Sequence, residues 1–319
     1  NSSLTLGSAL TGLTIGKSTN TANITIGDAT SIAGPITIYG GTITLDADLT
    51  STATGAAILL KGSGDINQAT NIDVSTNGGN VTYWADSDNN SIGGIALNST
   101  NTNPSSTSIT TSGGDIVLGG GSDPLADDAW GDVAGVNIYQ GTSLNASTGN
   151  ISIRGSSYRL SSLGYGVQIS NVSGLDGNNI TIHGSGPAGS GNAGSTQGVR
   201  IATSTITSNG TLDIVGVGGG GNTTGNSHIG VSVLSSSVLV GAGGVTITGS
   251  GGGAGSSTNN FGVNIDATVR SATGNLTIIG TEGAGSSSQG VLVNSGATIG
   301  SNTGSEQSGE ITLRANTFL

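Results

Sequence analysis

The chain has 319 residues, of which 60 are glycine and only 8% are charged. The net charge of −11 reflects a scarcity of bases, with seven Lys and Arg, so nucleic acid is disfavoured as a partner because its binding rests on cationic contacts to phosphate. Cysteine is absent, which excludes disulfides and thiolate metal sites, and no apolar run is long enough to predict a membrane-spanning helix.

The first recurring element is a short apolar strand preceded by Gly, Asn or a small polar residue, as in "NISIRG" (150–155) and "NITIHG" (179–184). Successive copies are separated by 38, 35, 35, 29, 32, 33, 31 and 35 residues, which indicates a repeat of about 32 residues. The first apolar residues of these copies are Ile43, Val81, Ile116, Ile151, Ile180, Leu212, Val245, Leu276 and Ile311.

Two further elements follow in each repeat. The second has the form Gly-apolar-x-apolar, as in "GVQI" (166–169) and "GVRI" (198–201). The third is a weaker apolar run that leads into a turn, and its members are Ile72, Ile109, Leu144, Val172, Ile206, Val238, Val269 and Ile299. The strict alternation in the first two elements places apolar side chains on one face and polar ones on the other, as in a half-buried strand.

This pattern predicts an all-β, single-stranded parallel β-helix with three short strands per coil, about 32 residues per coil and roughly ten coils. Each strand then pairs with its counterpart one coil away, and stacking closes a continuous apolar core. An antiparallel sandwich is disfavoured, because it does not require three strand types in a repeated order. A propeller is also disfavoured, because it repeats at about 40–50 residues with four strands per blade.

The domain organisation predicted is one continuous β-solenoid over residues 1–319. Residues 1–55 contain the closely spaced units "LTLG", "LTIG", "ITIG" and "ITIYG", which indicate shorter or irregular coils, and residues 56–319 form regular three-strand coils. The final segment, "EITLRANTFL", is a first strand whose coil is not completed. Since solenoid ends expose unpaired strand edges, we expect the chain to stack end to end with itself or with flanking segments of a longer chain.

The stretch "ITIYGGTITLDADLTSTATGAAILLKGSGDI" and the repeated "GNITI…GV.I…TITSNG" units resemble glycine-rich bacterial exoproteins of the filamentous-haemagglutinin type, which use the two-partner secretion route. The secretion domain of that family carries Asn-Pro motifs, whereas this chain has one Asn-Pro pair, Asn103-Pro104, in a predicted loop. The resemblance implies an extracellular rod, a bacterial cell-surface fibre or a segment of an adhesin.

Few residues of the sequence indicate a catalytic or metal-binding site. The outward columns gather no two carboxylates, and His183 and His228 are interpreted as solvated loop residues, so we expect no enzymatic activity. The acidic turns "ADSDNNSIGG" (85–94) and "SDPLADDAWGD" (122–132) lie in successive coils and predict either a calcium site or polar, solvated loops. The candidate calcium ligands are Asp86, Asp88, Asp123, Asp127, Asp128 and Asp132.

Trp130 and Tyr139 offer a sugar-stacking face as an alternative, although a tryptophan that covers Leu125 explains the same residues. The sequence therefore predicts a structural extracellular β-solenoid, as a segment or subunit of a cell-surface fibre. The alternative function is an adhesin or a carbohydrate-binding or carbohydrate-cleaving β-helix, with surface glycans as partners.

Overall fold

The computed structural model describes residues 10–98, 106–159, 163–188, 194–220, 225–300 and 309–318. Within these ranges the regular structure is entirely β-strand. The first strands are β1 (Leu13–Ile15), β2 (Ile24–Ile26), β3 (Thr30–Ile32), β4 (Ile36–Gly40), β5 (Ile43–Leu45), β6 (Leu49–Thr54), β7 (Ile58–Gly62), β8 (Ile66–Gln68), β9 (Asp73–Asn77), β10 (Val81–Trp84), β11 (Ile95–Leu97) and β12 (Ser108–Thr110).

The central strands are β13 (Ile116–Gly119), β14 (Ala129–Gly131), β15 (Ala134–Ile138), β16 (Ser143–Asn145), β17 (Ile151–Ser157), β18 (Gly164–Ser170), β19 (Gly174–Gly177), β20 (Ile180–Ser185), β21 (Thr196–Ala202) and β22 (Thr205–Ser208). The last strands are β23 (Thr211–Val217), β24 (Ile229–Val233), β25 (Val238–Gly241), β26 (Gly244–Ser250), β27 (Val263–Ile265), β28 (Thr268–Ser271), β29 (Leu276–Thr281), β30 (Val291–Val293), β31 (Thr298–Ile299) and β32 (Ile311–Ala315).

These strands form three parallel sheets, which confirms the predicted β-solenoid with three strands per coil. Sheet A runs β1-β4-β7-β10-β13-β17-β20-β23-β26-β29-β32, with β14 also paired to β17. Sheet B runs β2-β5-β8-β11-β15-β18-β21-β24-β27-β30, and sheet C runs β3-β6-β9-β12-β16-β19-β22-β25-β28-β31. Neighbouring strands lie about 4.8 Å apart, so the eleven stacked strands of sheet A span about 50 Å.

The core lies between the three sheets and is a stack of aliphatic side chains. In β20, Ile180 and Ile182 point inward and are fully buried, whereas Thr181 between them points outward. The register places Ile182 between Ile153 of the preceding coil and Ile214 of the next. Each inward residue therefore packs against a like residue above and below it, as the two-residue period predicted.

The register corrects one part of the predicted repeat. Ile43 belongs to sheet B, where it pairs with Ile24 and Ile66, and the residue stacked below Val81 in sheet A is Ile58. The early coils are therefore 23, 22 and 23 residues long, counted over Leu13, Ile36, Ile58 and Val81, and this short form continues beyond residue 55. From Val81 onward the coils contain 29 to 35 residues, counted over the sheet A register.

The third predicted column also needs correction at three positions. The residues that stack in sheet C are Val74, Leu175 and Leu239, not Ile72, Val172 and Val238. Ile72 and Val172 are nevertheless buried, because they precede their strands at a corner that also faces the core. Apolar character alone does not distinguish such a corner residue from its neighbour in the strand.

A double column of glycines forms the corner between sheets A and B. In sheet A, Gly184 and Gly216 stack on one another, and each faces a glycine that precedes a strand core in sheet B, namely Gly198 and Gly230. A Cβ atom on Gly216 would lie closer than 3.0 Å to the backbone of Gly230. The recurring Gly of "Gly-apolar-x-apolar" is thus explained by direct backbone-to-backbone packing.

A ladder of polar side chains precedes the strands of sheet A. The Asn80, Asp115, Asn150 and Asn179 side chains each accept a hydrogen bond, at 2.8–3.1 Å, from the backbone N–H of the equivalent residue one coil further on. Asn275 does the same with Glu310 at 3.0 Å, and Asn23 with Thr42 at 3.0 Å at the start of sheet B. These side chains therefore add hydrogen bonds between neighbouring coils to those of the backbone.

The last described coil leaves part of the core column uncovered. Ile311 and Leu313 are 43% and 39% exposed, whereas Leu276 and Ile278, on which they stack, are fully buried. Phe318 is also exposed.

Among the described residues, no helix is both long and apolar enough to cross a membrane.

Candidate functional site

Polar and aromatic side chains concentrate at one edge of the solenoid, in the turns that connect sheet A to sheet B. We call this region the charged edge and define it as residues 84–94, 119–134, 154–159, Lys61, Asp65 and His183. It contains both tryptophans of the chain, three of its seven Lys and Arg residues and all six predicted calcium ligands. The long turns that carry these residues begin where the coils lengthen, after Val81.

Asp86 organises the first acidic turn from inside. Its side chain is fully buried, and its carboxylate accepts hydrogen bonds from the backbone N–H groups of Asn90, Ser91 and Ile92 at 2.9, 3.2 and 3.3 Å. Burial raises the pKa of Asp86, and these backbone donors oppose that rise. Asp88 is exposed and accepts from the Asn90 side chain at 3.0 Å.

The second acidic turn is held by its own carboxylates in the same way. Asp127 Oδ2 accepts from the hydroxyl and the backbone N–H of Ser122, at 2.6 and 2.9 Å, and from the backbone N–H of Asp123 at 3.1 Å. The hydrogen bond from the Ser122 hydroxyl is the main cause of a lowered pKa at Asp127. Asp123 in turn accepts from the backbone N–H of Leu125 at 3.0 Å.

The remaining two acids contact basic residues of later coils. Asp128 Oδ1 lies 3.1 Å from His183 Nδ1 and 3.6 Å from Arg154 Nε. Asp132 Oδ1 lies 3.5 Å from Arg159 Nε. These contacts fasten the long turn after β13 to the outer face of β17 and β20.

The six predicted calcium ligands are therefore divided among separate structural roles. Within the described ranges, the acids and histidines nowhere form a group of three or more that is arranged to hold a metal ion. The calcium hypothesis rests on the sequence alone and gains no ligand set from the geometry.

Trp84 and Lys61 form the main aromatic contact of this edge. Lys61 Nζ lies 3.3 Å from the centroid of the Trp84 ring, one coil below it, and Trp84 Nε1 donates to the carbonyl of Gly121 at 2.7 Å. Trp130 and Tyr139 lie beyond opposite ends of β15, so they do not form one stacking face. Leu125 is 60% exposed, which contradicts the interpretation that Trp130 covers it.

The interpretation of both histidines as solvated loop residues is wrong. His183 lies in β20, where its outward side chain is partly covered and contacts Asp128. His228 is fully buried, with Nδ1 2.6 Å from Thr196 Oγ1, and its backbone N–H donates to Asn260 Oδ1 at 3.0 Å. Burial lowers the pKa of His228, with a smaller opposing contribution from the backbone of Gly225.

His228 therefore predicts a loss of stability in mild acid. Its folded-state pKa lies below the unfolded value of about 6.5, so stability is unaffected above that pH and falls as the pH drops from there through the folded-state pKa. His228→Asn keeps a polar partner for Thr196 but does not titrate. We expect a smaller fall in the urea midpoint between about pH 7.5 and about pH 5.5 in the variant than in the wild type. Equal falls would contradict this assignment.

Sequence reasoning missed a small open depression beside the charged edge. It occupies about 160 Å³ on the outer face of sheet B, above Ala96 of β11. Asn67 of β8 and Asn137 of β15 flank Ala96 in the preceding and following coils, and Asp65 and Asp132 also line the depression. The sequence signal for it was a small residue, Ala96, between the amide residues Asn67 and Asn137 in the outward column of sheet B.

No protein-family model, curated protein or solved structure is significantly similar to this chain. The fold, the local geometry and the sequence pattern are therefore the grounds for a functional proposal.

Proposed function

We propose that this chain is a structural β-solenoid, a segment or subunit of an extracellular fibre at a bacterial cell surface. The observation that carries the proposal is the uncovered apolar column in the last described coil. Ile311 and Leu313 occupy positions that are buried in the coils before them, and among the described strands β32 pairs with β29 alone. A further coil would cover both side chains and pair the other edge of β32.

The hydrogen bonds between successive coils support the same proposal. Backbone hydrogen bonds in three sheets run along the axis, and the polar ladder at Asn150 and Asn179 adds side-chain bonds in the same direction. The resemblance to filamentous-haemagglutinin-type exoproteins supports the extracellular location. The described acids of the charged edge either hold their own turns, as Asp86 and Asp127 do, or contact basic residues of other coils, as Asp128 and Asp132 do, which suits a scaffold.

The proposal is tested by imaging the purified chain over a range of concentrations in an electron microscope. We expect single rods of about 50 Å at low concentration and longer, unbranched rods at high concentration, because a free strand edge and an exposed apolar column favour stacking. Leu313→Lys is expected to abolish the long rods. Thr312→Lys, which adds the same charge at the neighbouring outward position, serves as the control.

Single rods at every concentration would contradict end-to-end stacking by this surface. An equal loss of long rods in both variants would also contradict it, because the added charge, and not the loss of the apolar contact, would then explain the loss of stacking.

The alternative function, an adhesin or another glycan-binding β-helix, is favoured by one specific feature, the depression above Ala96.

A further inference from the structure

Two carboxylates line the depression above Ala96, one on either side of its coil. Asp65 precedes β8 in the coil before Ala96, is exposed, and accepts a hydrogen bond through Oδ1 from the backbone N–H of Gly94 at 2.8 Å. Asp132 precedes β15 in the coil after Ala96, and more than half of its side-chain surface is exposed. A group seated above Ala96 therefore has negative charge on both sides.

Two exposed apolar side chains lie beside these carboxylates. Tyr158 is 42% exposed, and its backbone N–H donates to the carbonyl of Gly131, a lining residue, at 3.1 Å. Burial, and then the charges of Asp132 and Asp65, raise the pKa of the Tyr158 phenol, so its ring lies close to both acids. Ile92 is 58% exposed in the turn that enters β11. The site thus combines negative charge with apolar surface.

These features restrict the ligand to an organic cation. An anion is repelled, since the charged edge contains seven carboxylates and three Lys and Arg, a net charge of −4. A calcium ion takes about six to eight oxygen ligands, and within the described ranges no three acids or histidines are grouped to hold a metal. A neutral hydroxyl can bond to a carboxylate, but a cationic donor forms a charge-assisted hydrogen bond about twice as strong.

Among organic cations, the guanidinium group of arginine matches these groups most closely. Its five N–H donors lie in one plane and reach acceptors on different sides, and its flat face stacks on aromatic rings. Its aliphatic stem covers apolar surface. The volume of about 160 Å³ equals the share of liquid occupied by about five water molecules, which holds one such group. Arg159 already makes a contact of this kind, with Nε 3.5 Å from Oδ1 of Asp132.

We propose that this depression receives an arginine side chain presented by a basic partner protein. The guanidinium lies above Ala96 between Asp65 and Asp132, and its stem contacts Tyr158 and Ile92. The site is on the side of the rod, away from its exposed end. Its occupancy is therefore independent of end-to-end stacking, and either proposal can fail without the other.

The test is a titration of the full chain with N-acetyl-arginine N-methylamide, followed by NMR chemical shifts. The citrulline derivative has nearly the same shape without the charge, the lysine derivative has the charge without the planar group, and methyl glucoside is a neutral sugar. At low ionic strength we expect saturable binding of the arginine derivative, and binding weaker by about fivefold or more for the other three probes. Addition of about 0.5 M NaCl should weaken arginine binding severalfold, because the two carboxylates are exposed.

Removal of either carboxylate should weaken binding, whereas removal of a carboxylate elsewhere should not. Asp65→Asn and Asp132→Asn are each expected to weaken arginine binding about threefold to tenfold, since each removes one charge-assisted contact. Asp115→Asn makes the same change of charge in the ladder before β13, where neighbouring coils carry Asn80 and Asn150. We expect this control to bind as the wild type does.

Arg159→Gln separates recognition of charge from a role in folding. Arg159 contacts Asp132 and so competes with an incoming guanidinium. The variant is therefore expected to bind the arginine derivative about twofold to fivefold more tightly than the wild type. A damaged site would bind it more weakly, and that result would contradict the proposal.

A change of bulk tests the location of the site. Ala96→Leu fills the depression and should abolish binding, whereas Asn264→Leu places the same bulk in the same outward column of sheet B, where Leu292 already occurs, and should leave binding unchanged. The proposal is overturned by no saturable binding of the arginine derivative, by equal binding of the citrulline or lysine derivative, or by arginine binding that survives Ala96→Leu. Tighter binding of methyl glucoside would also overturn it and would support the glycan-binding alternative.

Discussion

Replacing Ile182 with alanine is expected to lower the free energy of unfolding by about 2–5 kcal/mol, the range typical of a large-to-small change in a packed core. Ile182 is fully buried in β20 and stacks between Ile153 and Ile214, so the cavity would be lined on two sides by neighbouring coils. The backbone above and below is held by three continuous sheets, which limits how far the cavity can close. Urea denaturation followed by circular dichroism measures the change.

Thr181→Ala is the matched control, because it lies next to Ile182 in the same strand and points outward. We expect this variant to remain within about 0.5 kcal/mol of the wild type. A cost for Thr181→Ala equal to that for Ile182→Ala would mean that the assignment of inward and outward positions in β20 is wrong.

Gly216→Ala is expected to destabilise the chain by about 1–3 kcal/mol or more, although it adds only one methyl group. The added Cβ would lie closer than 3.0 Å to the carbonyl group of Gly230 and to a methyl group of Val231. Backbone cannot rotate away as a side chain can, so the corner between sheets A and B must open. The same change at Gly184 would meet Gly198 and should be as harmful.

Gly220→Ala provides the control for that variant. Gly220 has no atom within 4 Å of the position that its Cβ would occupy, so we expect a change in unfolding free energy of less than about 0.5 kcal/mol. If Gly216→Ala and Gly220→Ala behaved alike, the close approach of the two backbones at this corner would be disproved.

The sequence predicted the fold well where strands repeat with strict alternation. The column that contains Ile151, Ile180 and Leu212 was identified in its observed register, because inward residues there recur between outward polar ones. The error at Ile43 arose because the short early coils contain three similar "Ile-Thr" strands. With equal hydropathy in all three, only the backbone pairing shows which sheet each strand enters.

The charged edge was harder to predict, since its residues meet through long turns of no fixed length. Spacing indicated that the acidic turns are neighbours but not that Asp128 pairs with His183, 55 positions later, or that Asp86 is buried within its own turn. Alternation with Val136 and Ile138 places Asn137 on the outward face of its strand, yet it is buried. Such contacts depend on how irregular backbone folds over a strand, which alternation does not encode.

The unequal coils have a mechanical consequence. Because the strands of one coil bond only to the coils above and below, a pull on one end would peel the chain from the stack one coil at a time. A fully extended residue spans about 3.4 Å, so a coil of 22 residues would release about 75 Å of chain and a coil of 35 residues about 120 Å. Stretched from opposite ends, the rod would lengthen in small steps where it is narrow and in large steps where it is broad.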